Sequence, residues 1–321
     1  MKKSFTPIPE PAPLPPAENI DVADIYNKYV SGDIDIICVI GPTASGKTKY
    51  AVALSREINR IAGKPVAEII SADSRQVYRG MDIGTGKDLN EYGDVPHHLI
   101  DIVPAGTRFD LYQWQMAFEQ AYKDIRERGK TPILCGGTGL YIQAATCGYT
   151  LPQVPPDEEL RKELEQYNTR ALIQRLSEYG SLPGEGVLQS KRRIIRALEV
   201  AMYEREHPVK RTGFMPKNPY FIGTLVSREE RVARIDRRLD ERLSGGLIEE
   251  VKGLLDSGIS AEDLVYYGLE YKFVTQYVLG ILTFEEMRTL LANAIHQFAK
   301  RQMTWFRGME KDGINIHWTK V

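Results

Sequence analysis

Residues 41–48 have the types and spacing of a loop that binds a di- or triphosphate. Their pattern is G-x-x-x-x-G-K-[ST], and the residues are Gly41, Pro42, Thr43, Ala44, Ser45, Gly46, Lys47 and Thr48. In such a loop the glycines let backbone N–H groups wrap phosphate oxygens, the lysine adds a positive charge, and the last hydroxyl reaches Mg²⁺. The sequence therefore predicts a phosphate site, but not yet a reaction, because this motif serves many chemistries. We call residues 41–48 the phosphate loop.

A second candidate, Asp73, follows the next predicted strand. An aspartate at a neighbouring strand end would face the phosphate loop, where it could act as a general base or as a ligand of Mg²⁺. A helix N-cap is the structural alternative. Two glycine-rich segments, residues 81–87 and 136–141, are further candidates for close approach to a ligand. We call residues 81–87 the glycine-rich loop.

Short apolar strands alternate with helices from residue 34 onward. Strands are predicted at residues 34–40, 67–71, 98–103 and 131–135, and helices at residues 47–62 and 111–128. This alternation predicts an α/β fold with a P-loop NTPase-like parallel sheet flanked by helices. Ligands of such sheets bind beyond the carboxyl ends of the strands. The loops after residues 40, 71 and 135 should therefore form the site.

Composition divides the chain into three parts. Residues 1–33 begin with alternating prolines, which predicts a flexible tail followed by a short helix near residues 21–29. Residues 34–145 and 219–321 form the predicted α/β core, with further strands at residues 220–226 and 314–318 and a long final helix at residues 283–307. Residues 146–218 are charged, mostly helical in pattern and bounded by prolines, which predicts a helical insertion.

Charge and cysteine usage exclude several classes of protein. The chain has 42 Lys and Arg against 43 Asp and Glu, a net charge of −1, which excludes a globally basic nucleic-acid binder but allows a local basic face. Its 3 cysteines are widely spaced, which argues against a disulfide framework and suits a reducing cytoplasm. No apolar run approaches the roughly 18 residues of a membrane span. We therefore expect a cytoplasmic protein with no membrane segment and no metal cage of its own.

A series of motifs occurs in an order that resembles the tRNA dimethylallyltransferase (isopentenyltransferase) family. The motifs are G-P-T-A-S-G-K-T, S-A-D-S-R-Q-V-Y, M-D-I-G-T-G-K, P-H-H-L-I-D, G-G-T-G-L-Y, R-R-I-I-R-A-L-E-V and A-K-R-Q-M-T-W-F-R, between residues 34 and 318. The resemblance implies transfer of a dimethylallyl group from dimethylallyl diphosphate to N6 of the adenosine 3′-adjacent to the anticodon of tRNA. It also implies that the phosphate loop holds the diphosphate of this donor.

The resemblance implies roles for individual residues. Asp73 is the implied general base, Thr43 is implied to hydrogen-bond the bridging oxygen of the leaving diphosphate, and Arg238 to neutralise its charge, with Arg234 as the second choice. The phosphate loop is the implied donor site, and Thr48 with the diphosphate is implied to hold Mg²⁺. The residues implied to contact the tRNA anticodon loop are Asp73, Ser74, Arg75, Gln76, Thr138, Arg192, Arg193, Arg196, Lys300, Arg301, Gln302 and Arg307.

Two of these segments are basic in their own right. Residues 186–217 contain eight Lys or Arg and three Asp or Glu, and Arg192 and Arg196 share a helix face. Residues 296–307 combine three positive charges and three aromatic residues without an acid. Such a mixture suits RNA backbone contact with stacking. A solvated helix face and an amphipathic core helix, respectively, are the simpler interpretations.

Three alternative functions stay open at this point. They are an adenylate isopentenyltransferase acting on free AMP, ADP or ATP, a small-molecule kinase with a phosphate loop, and a tRNA-binding protein without activity. The sequence also departs from the family's usual pattern at residues 184–190, at Gly86, where alanine is more usual, and at residues 268–271, where Gly-Leu-Glu-Tyr replaces Gly-Tyr-x-Glu. We expect the chain to be a monomer.

Overall fold

The computed structural model describes residues 13–180 and 182–321. Its internal contacts divide the chain into two compact units. Of the described residues, the first unit contains 13–147 together with Met215–Val321, and the second lies within Gly148–Phe214. Residues 1–12 of the predicted proline-rich tail lie outside the described residues.

The strands of the first unit are short. They are β1 (Ile36–Ile40), β2 (Ala67–Ser71), β3 (Tyr78–Arg79), β4 (His97–His98), β5 (Val103–Pro104), β6 (Thr131–Gly136), β7 (Pro219–Leu225) and β8 (Ile316–Lys320). Every residue of β1, β2 and β6 is buried, as expected for parallel strands that are covered on both faces. The predicted α/β class is confirmed.

The helices follow the predicted pattern, and the long final helix is four residues longer than predicted at its C-terminus. They are α1 (Val22–Ser31), α2 (Lys47–Ala62), α3 (Leu111–Glu127), α4 (Gly139–Thr146), α5 (Glu158–Glu165), α6 (Thr169–Ser177), α7 (Glu185–Leu188), α8 (Lys191–Glu206), α9 (Arg228–Ser244), α10 (Leu247–Asp256), α11 (Ala261–Tyr267), α12 (Leu269–Val278) and α13 (Phe284–Lys311). Both α3 and α13 begin with a capping box, formed by Asp110 with Gln113 and by Thr283 with Glu286. Among the described residues, no helix is both long and apolar enough to cross a membrane.

The main sheet is parallel, with strand order β4-β2-β6-β1-β7-β8. Its register pairs Ile40 with Gly136, and Ser71 with Cys135. The carboxyl ends of β1, β2 and β6 are therefore level, so the loops that follow them meet at one edge of the sheet. Helices α1 and α2 cover one face, where Ile25 and Ile58 join Ile37 of β1 in a common core.

The strand predicted at residues 98–103 was wrong. The structure has β4 and β5 instead, and β5 pairs with β3 in a separate two-stranded sheet. Between them Leu99 and Asp101 adopt positive φ angles of 63° and 57°, which a continuous strand cannot contain. The apolar pattern of this segment comes from a turn whose side chains are partly buried, and it mimics that of a strand.

The second unit is helical and has a core of its own. Leu164, Leu172 and Leu176 of α5 and α6 pack with Ile194 and Leu198 of α8. Its first and last segments are joined by an antiparallel bridge between Pro152 and Arg211 and by a hydrogen bond from Leu151 N–H to Thr212 Oγ1 (2.8 Å).

Candidate active site

A cavity of about 380 Å³ lies at the carboxyl ends of β1, β2 and β6. The predicted site residues that line it are Thr43, Lys47, Thr48, Asp73, Ser74, Arg75, Gln76, Arg238 and Arg301. Apolar and aromatic side chains complete the lining, among them Tyr92, Leu269, Ile295 and Phe298. The arrangement suits a ligand with an anionic end and a short hydrocarbon part.

The phosphate loop joins β1 to α2 and includes Gly46, the N-cap of α2, and Lys47 and Thr48, the first two residues of the helix. Gly46 has a φ of 80°, which glycine adopts without strain. Gly41 packs so closely on Ser45 and Thr224 that a Cβ there would overlap both hydroxyl groups. Those hydroxyls form a hydrogen bond of 2.6 Å beneath the loop, so β7 also supports it. The N-terminus of α2 thus faces the cavity as an anion site.

The Lys47 ammonium and the Asp73 carboxylate lie on the same cavity. Enclosure by the protein lowers the pKa of Lys47, and the Asp73 charge opposes that shift. Asp73 Oδ1 accepts a hydrogen bond from Arg75 N–H at 2.9 Å. Asp73 therefore closes a turn on its own backbone rather than capping a helix. Its second carboxylate oxygen is left available to a ligand in the cavity.

Arg238 reaches the cavity from α9, whereas Arg234 does not line it. The Arg238 guanidinium pairs with Asp88 and donates to the Gly86 carbonyl at 3.4 Å. Arg234 pairs with Glu230 at 2.6 Å and donates to the Val321 carbonyl. The geometry therefore places Arg238, the first choice from the sequence, at the cavity, and its catalytic role stays a prediction.

The cavity wall also contains an ion pair that was not predicted from the sequence, between Arg242 and Glu270 (3.2 Å). Both side chains are nearly buried, with 15% and 12% of their surface exposed. Burial raises the pKa of Glu270, and burial together with neighbouring Arg238 lowers that of Arg242. The available signal was that Arg242 lies one helical turn after Arg238, while Glu270 lies in the segment that departs from the family pattern.

Gln302 lies between two loops of the site. The Thr43 N–H donates to its Oε1 and its Nε2 donates to the Gly137 carbonyl, each at 2.8 Å. Only 6% of the residue is exposed. Both ends of the amide are therefore bonded within the protein, so Gln302 links α13 to the phosphate loop, and its contact with tRNA stays a prediction.

Residues 136–141 were expected to allow close approach to a ligand: Gly136 lines the cavity, whereas Gly137 and Gly139 lie against α13. A Cβ at Gly137 would overlap the Gln302 amide, and a Cβ at Gly139 would lie 2.5 Å from Trp305 Cγ. The close approach is therefore made by helix side chains. Thr138 accepts a hydrogen bond from Ser74 N–H at 3.2 Å, which ties this loop to the one after β2.

The remaining predicted tRNA contacts lie on two surfaces. Lys300 and Arg301 are exposed on α13, and Arg307 donates to the Pro13 carbonyl at 2.9 Å. The others lie on α8 of the second unit. There Arg192 and Arg193 are exposed, while Arg196 pairs with Glu199 and donates to the Val154 carbonyl.

Comparison with known proteins assigns the family. A family model described as "IPP transferase" matches residues 76–309. The chain belongs to the IPP transferase family. The chain is 53% identical over 287 residues to tRNA dimethylallyltransferase 2 of Porphyromonas gingivalis, and the match covers 88% of this chain and 93% of that protein. It is 48% identical over 290 residues to tRNA dimethylallyltransferase 2 of Bacteroides fragilis, with coverage of 89% and 92%.

A solved structure supports the same assignment. The full-length tRNA isopentenylpyrophosphate transferase of Bacillus halodurans is 37% identical, covers 89% of each chain and superposes with a TM-score of 0.64. The family expected from the motif series is confirmed, as is the α/β fold of the chain.

Proposed function

We propose that this protein transfers the dimethylallyl group of dimethylallyl diphosphate to N6 of the adenosine 3′-adjacent to the anticodon of tRNA and releases diphosphate. The observation that carries the proposal is the convergence of Thr43, Lys47, Asp73 and Arg238 on one cavity with an apolar wall. Membership of the IPP transferase family supports it, and the proteins it matches at 48–53% identity are tRNA dimethylallyltransferases.

The diphosphate end of the donor occupies the phosphate loop. Backbone N–H groups at the start of α2 hold its oxygens, and the Thr43 hydroxyl donates to the bridging oxygen. Lys47 and Arg238 neutralise the negative charge that grows as the C–O bond breaks, which is the main electrostatic demand of the step. The diphosphate leaves with the electron pair of that bond.

Asp73 is the general base that accepts the proton of the adenine amine. The adenine must leave the stack of the anticodon loop before its N6 reaches the cavity. As N6 bonds the allylic carbon, Asp73 accepts the proton that the amine loses. The charges balance, because one proton passes to the carboxylate and the new N–C bond replaces the broken C–O bond.

Mg²⁺ fits the residues present. The Thr48 hydroxyl lines the cavity, and the described residues contain no group of three His, Cys, Asp or Glu that would hold a metal without help. A cation held by one hydroxyl, the diphosphate oxygens and water is the usual arrangement for Mg²⁺. When bound, it would add positive charge at the leaving group.

The RNA-facing surfaces are the exposed basic residues of α13 and α8, and we place the activity in the cytoplasm, in a monomer. The free cysteines Cys38, Cys135 and Cys147 suit a reducing compartment.

A transfer assay tests the proposal. Purified protein, Mg²⁺ and labelled dimethylallyl diphosphate are incubated with unmodified tRNA that has A next to the anticodon, with the same tRNA carrying G there, and with AMP, ADP or ATP. We expect label only in the first tRNA. Label in the free nucleotides would instead indicate an adenylate isopentenyltransferase, and ATP turnover without label would indicate a kinase.

A further inference from the structure

One carboxylate, Glu250 of α10, organises the glycine-rich loop. Three consecutive backbone N–H groups donate to it: those of Asp82 (2.8 Å) and Ile83 (2.7 Å) to Oε2, and that of Gly84 (3.0 Å) to Oε1. Successive N–H groups that converge in this way form an anion-binding nest. Here the anion is a side chain of the same chain, from 166 residues or more farther along the sequence.

Tyr271 of α12 completes this arrangement. Its hydroxyl donates to Glu250 Oε1 at 2.6 Å, and only 2% of the residue is exposed. Burial and the adjacent Glu250 carboxylate raise the pKa of Tyr271, so its hydroxyl stays protonated and keeps donating. The ring lies against Gly84, where a Cβ would be 2.7 Å from Tyr271 Cζ. The loop is therefore held by charge at its backbone and by packing at its glycine.

The loop in turn holds Arg238. The Gly86 carbonyl accepts hydrogen bonds from Arg238 Nη2 (3.4 Å) and from Gln76 Nε2 (3.1 Å). Gly84, Thr85 and Gly86 also line the cavity. A shift of this loop would therefore move the Arg238 guanidinium relative to the phosphate loop.

We propose that Glu250 is a positioning residue, which with Tyr271 fixes the glycine-rich loop so that the Gly86 carbonyl directs Arg238 to the diphosphate. The inference rests on the proposed function for the identity of the donor, but not for the presence of a diphosphate site. The same inference explains the segment 268–271, which departs from the usual family pattern. Tyr271 of that segment completes the hydrogen bonds to Glu250, and Glu270 pairs with Arg242.

The first test compares Glu250→Gln with Glu249→Gln. Glu249 is the preceding residue on α10, and its side chain is exposed. Inorganic pyrophosphate is titrated into the full-length protein with Mg²⁺ by calorimetry, and transfer kinetics are measured for donor and tRNA. Glutamine keeps the size of the side chain but presents an NH₂ group to a backbone donor. We expect Glu250→Gln to weaken pyrophosphate binding about tenfold and to lower kcat/KM for the donor, with KM for tRNA unchanged. Glu249→Gln should match the parent.

A double-mutant cycle separates positioning from general destabilisation. If Glu250 acts through Arg238, Glu250→Gln should add little to the loss already caused by Arg238→Lys. Additive losses, or equal pyrophosphate affinity in Glu250→Gln and Glu249→Gln, would overturn the proposal. Should Glu250→Gln not fold, Tyr271→Phe decides instead: it removes one hydrogen bond from the set and should weaken pyrophosphate binding in the same direction, and parental affinity would count against the inference. Because pyrophosphate binding needs no acceptor, it tests this inference even if no transfer to tRNA is found.

Discussion

The phosphate loop and the glycine-rich loop lie on the same cavity but are built in different ways. The phosphate loop has the backbone course that its own residues favour, with Gly46 at a φ of 80° and α2 beginning at Lys47, and Thr224 and Gln302 add single hydrogen bonds to it. The glycine-rich loop takes its shape from side chains far away in the sequence, above all Glu250 and Tyr271. The phosphate loop can therefore be recognised from a local sequence motif, whereas the conformation of the glycine-rich loop is explained only by its contacts with α10 and α12.

This difference predicts how each region fails. Substitutions in the region with local contacts should remove a reactive or charged group. Substitutions in the region held by long-range contacts should leave those groups present but move them. The four predictions below test that distinction, from the largest expected effect to the smallest.

Asp73→Asn should give the largest loss, because the amide cannot accept the proton from N6. We expect kcat to fall about 10³-fold while tRNA affinity is retained. Single-turnover transfer and a tRNA filter-binding assay measure the two quantities. Asp94→Asn, at an exposed aspartate, is the control. Turnover of Asp73→Asn close to that of the control would exclude Asp73 as the base.

Gly86→Ala introduces the residue that is more usual in the family, but beside the arginines of this chain it should displace charge. A Cβ at Gly86 would overlap the guanidinium groups of Arg242 and Arg238. We expect kcat/KM for the donor to fall about 10²-fold, since misplaced charge stabilises the leaving group poorly. Gly80→Ala is a matched control, because Gly80 also has a positive φ, of 74°, but has open space around it. Equal losses in both variants would mean that backbone strain, and not displacement of the arginines, is the cause.

Gln302→Glu tests the link between α13 and the phosphate loop. The carboxylate can still accept from Thr43 N–H, but it would repel the Gly137 carbonyl instead of donating to it. We expect kcat to fall about tenfold, because a small displacement of Thr43 misaligns the donor. Gln297→Glu adds the same charge at an exposed position of the same helix. If the two variants have the same kcat, the added charge rather than the lost link explains the change.

The smallest effect is a pH dependence of pyrophosphate binding. The pKa of Lys47 lies below its ordinary value in the unliganded site, so the lysine loses its charge as pH rises toward the usual lysine pKa of about 10.4. A bound diphosphate favours the charged form, so affinity should fall a few-fold as pH rises toward that value, with proton uptake on binding. In Lys47→Arg the charge persists and only the ionisation of pyrophosphate itself should remain. Identical pH profiles in the two proteins would contradict this assignment.

Much of the fold followed from the sequence because the signals were local. Residues 67–71 were predicted as a strand and form β2, and residues 47–62 form α2, which ends where Gly63 adopts a positive φ. The failure at residues 98–103 has a tertiary cause, since positive φ values at Leu99 and Asp101 leave no trace in the hydrophobic pattern. Residue types do not reveal a backbone bend that is stabilised by distant contacts.

The residues of the site were likewise predictable where they follow a strand, and not where they act through long-range contacts. Thr43, Lys47 and Asp73 follow strands directly, so their convergence at the cavity was expected from parallel topology. Glu250 and Gln302 act by holding other loops, and their partners lie 166 to 168 and 165 to 259 residues away, respectively. No spacing rule connects such pairs, so only three-dimensional structure identifies them.

The first and last segments of the helical unit Gly148–Phe214 lie side by side, joined through Leu151 and Thr212. When the two ends of a unit lie next to each other, the unit can be inserted, deleted or exchanged while the rest of the backbone keeps its conformation. Because it also has its own hydrophobic core, it can accumulate substitutions without disturbing the sheet. Recombination between relatives can therefore replace this unit while the phosphate loop and the cavity of the first unit stay unchanged.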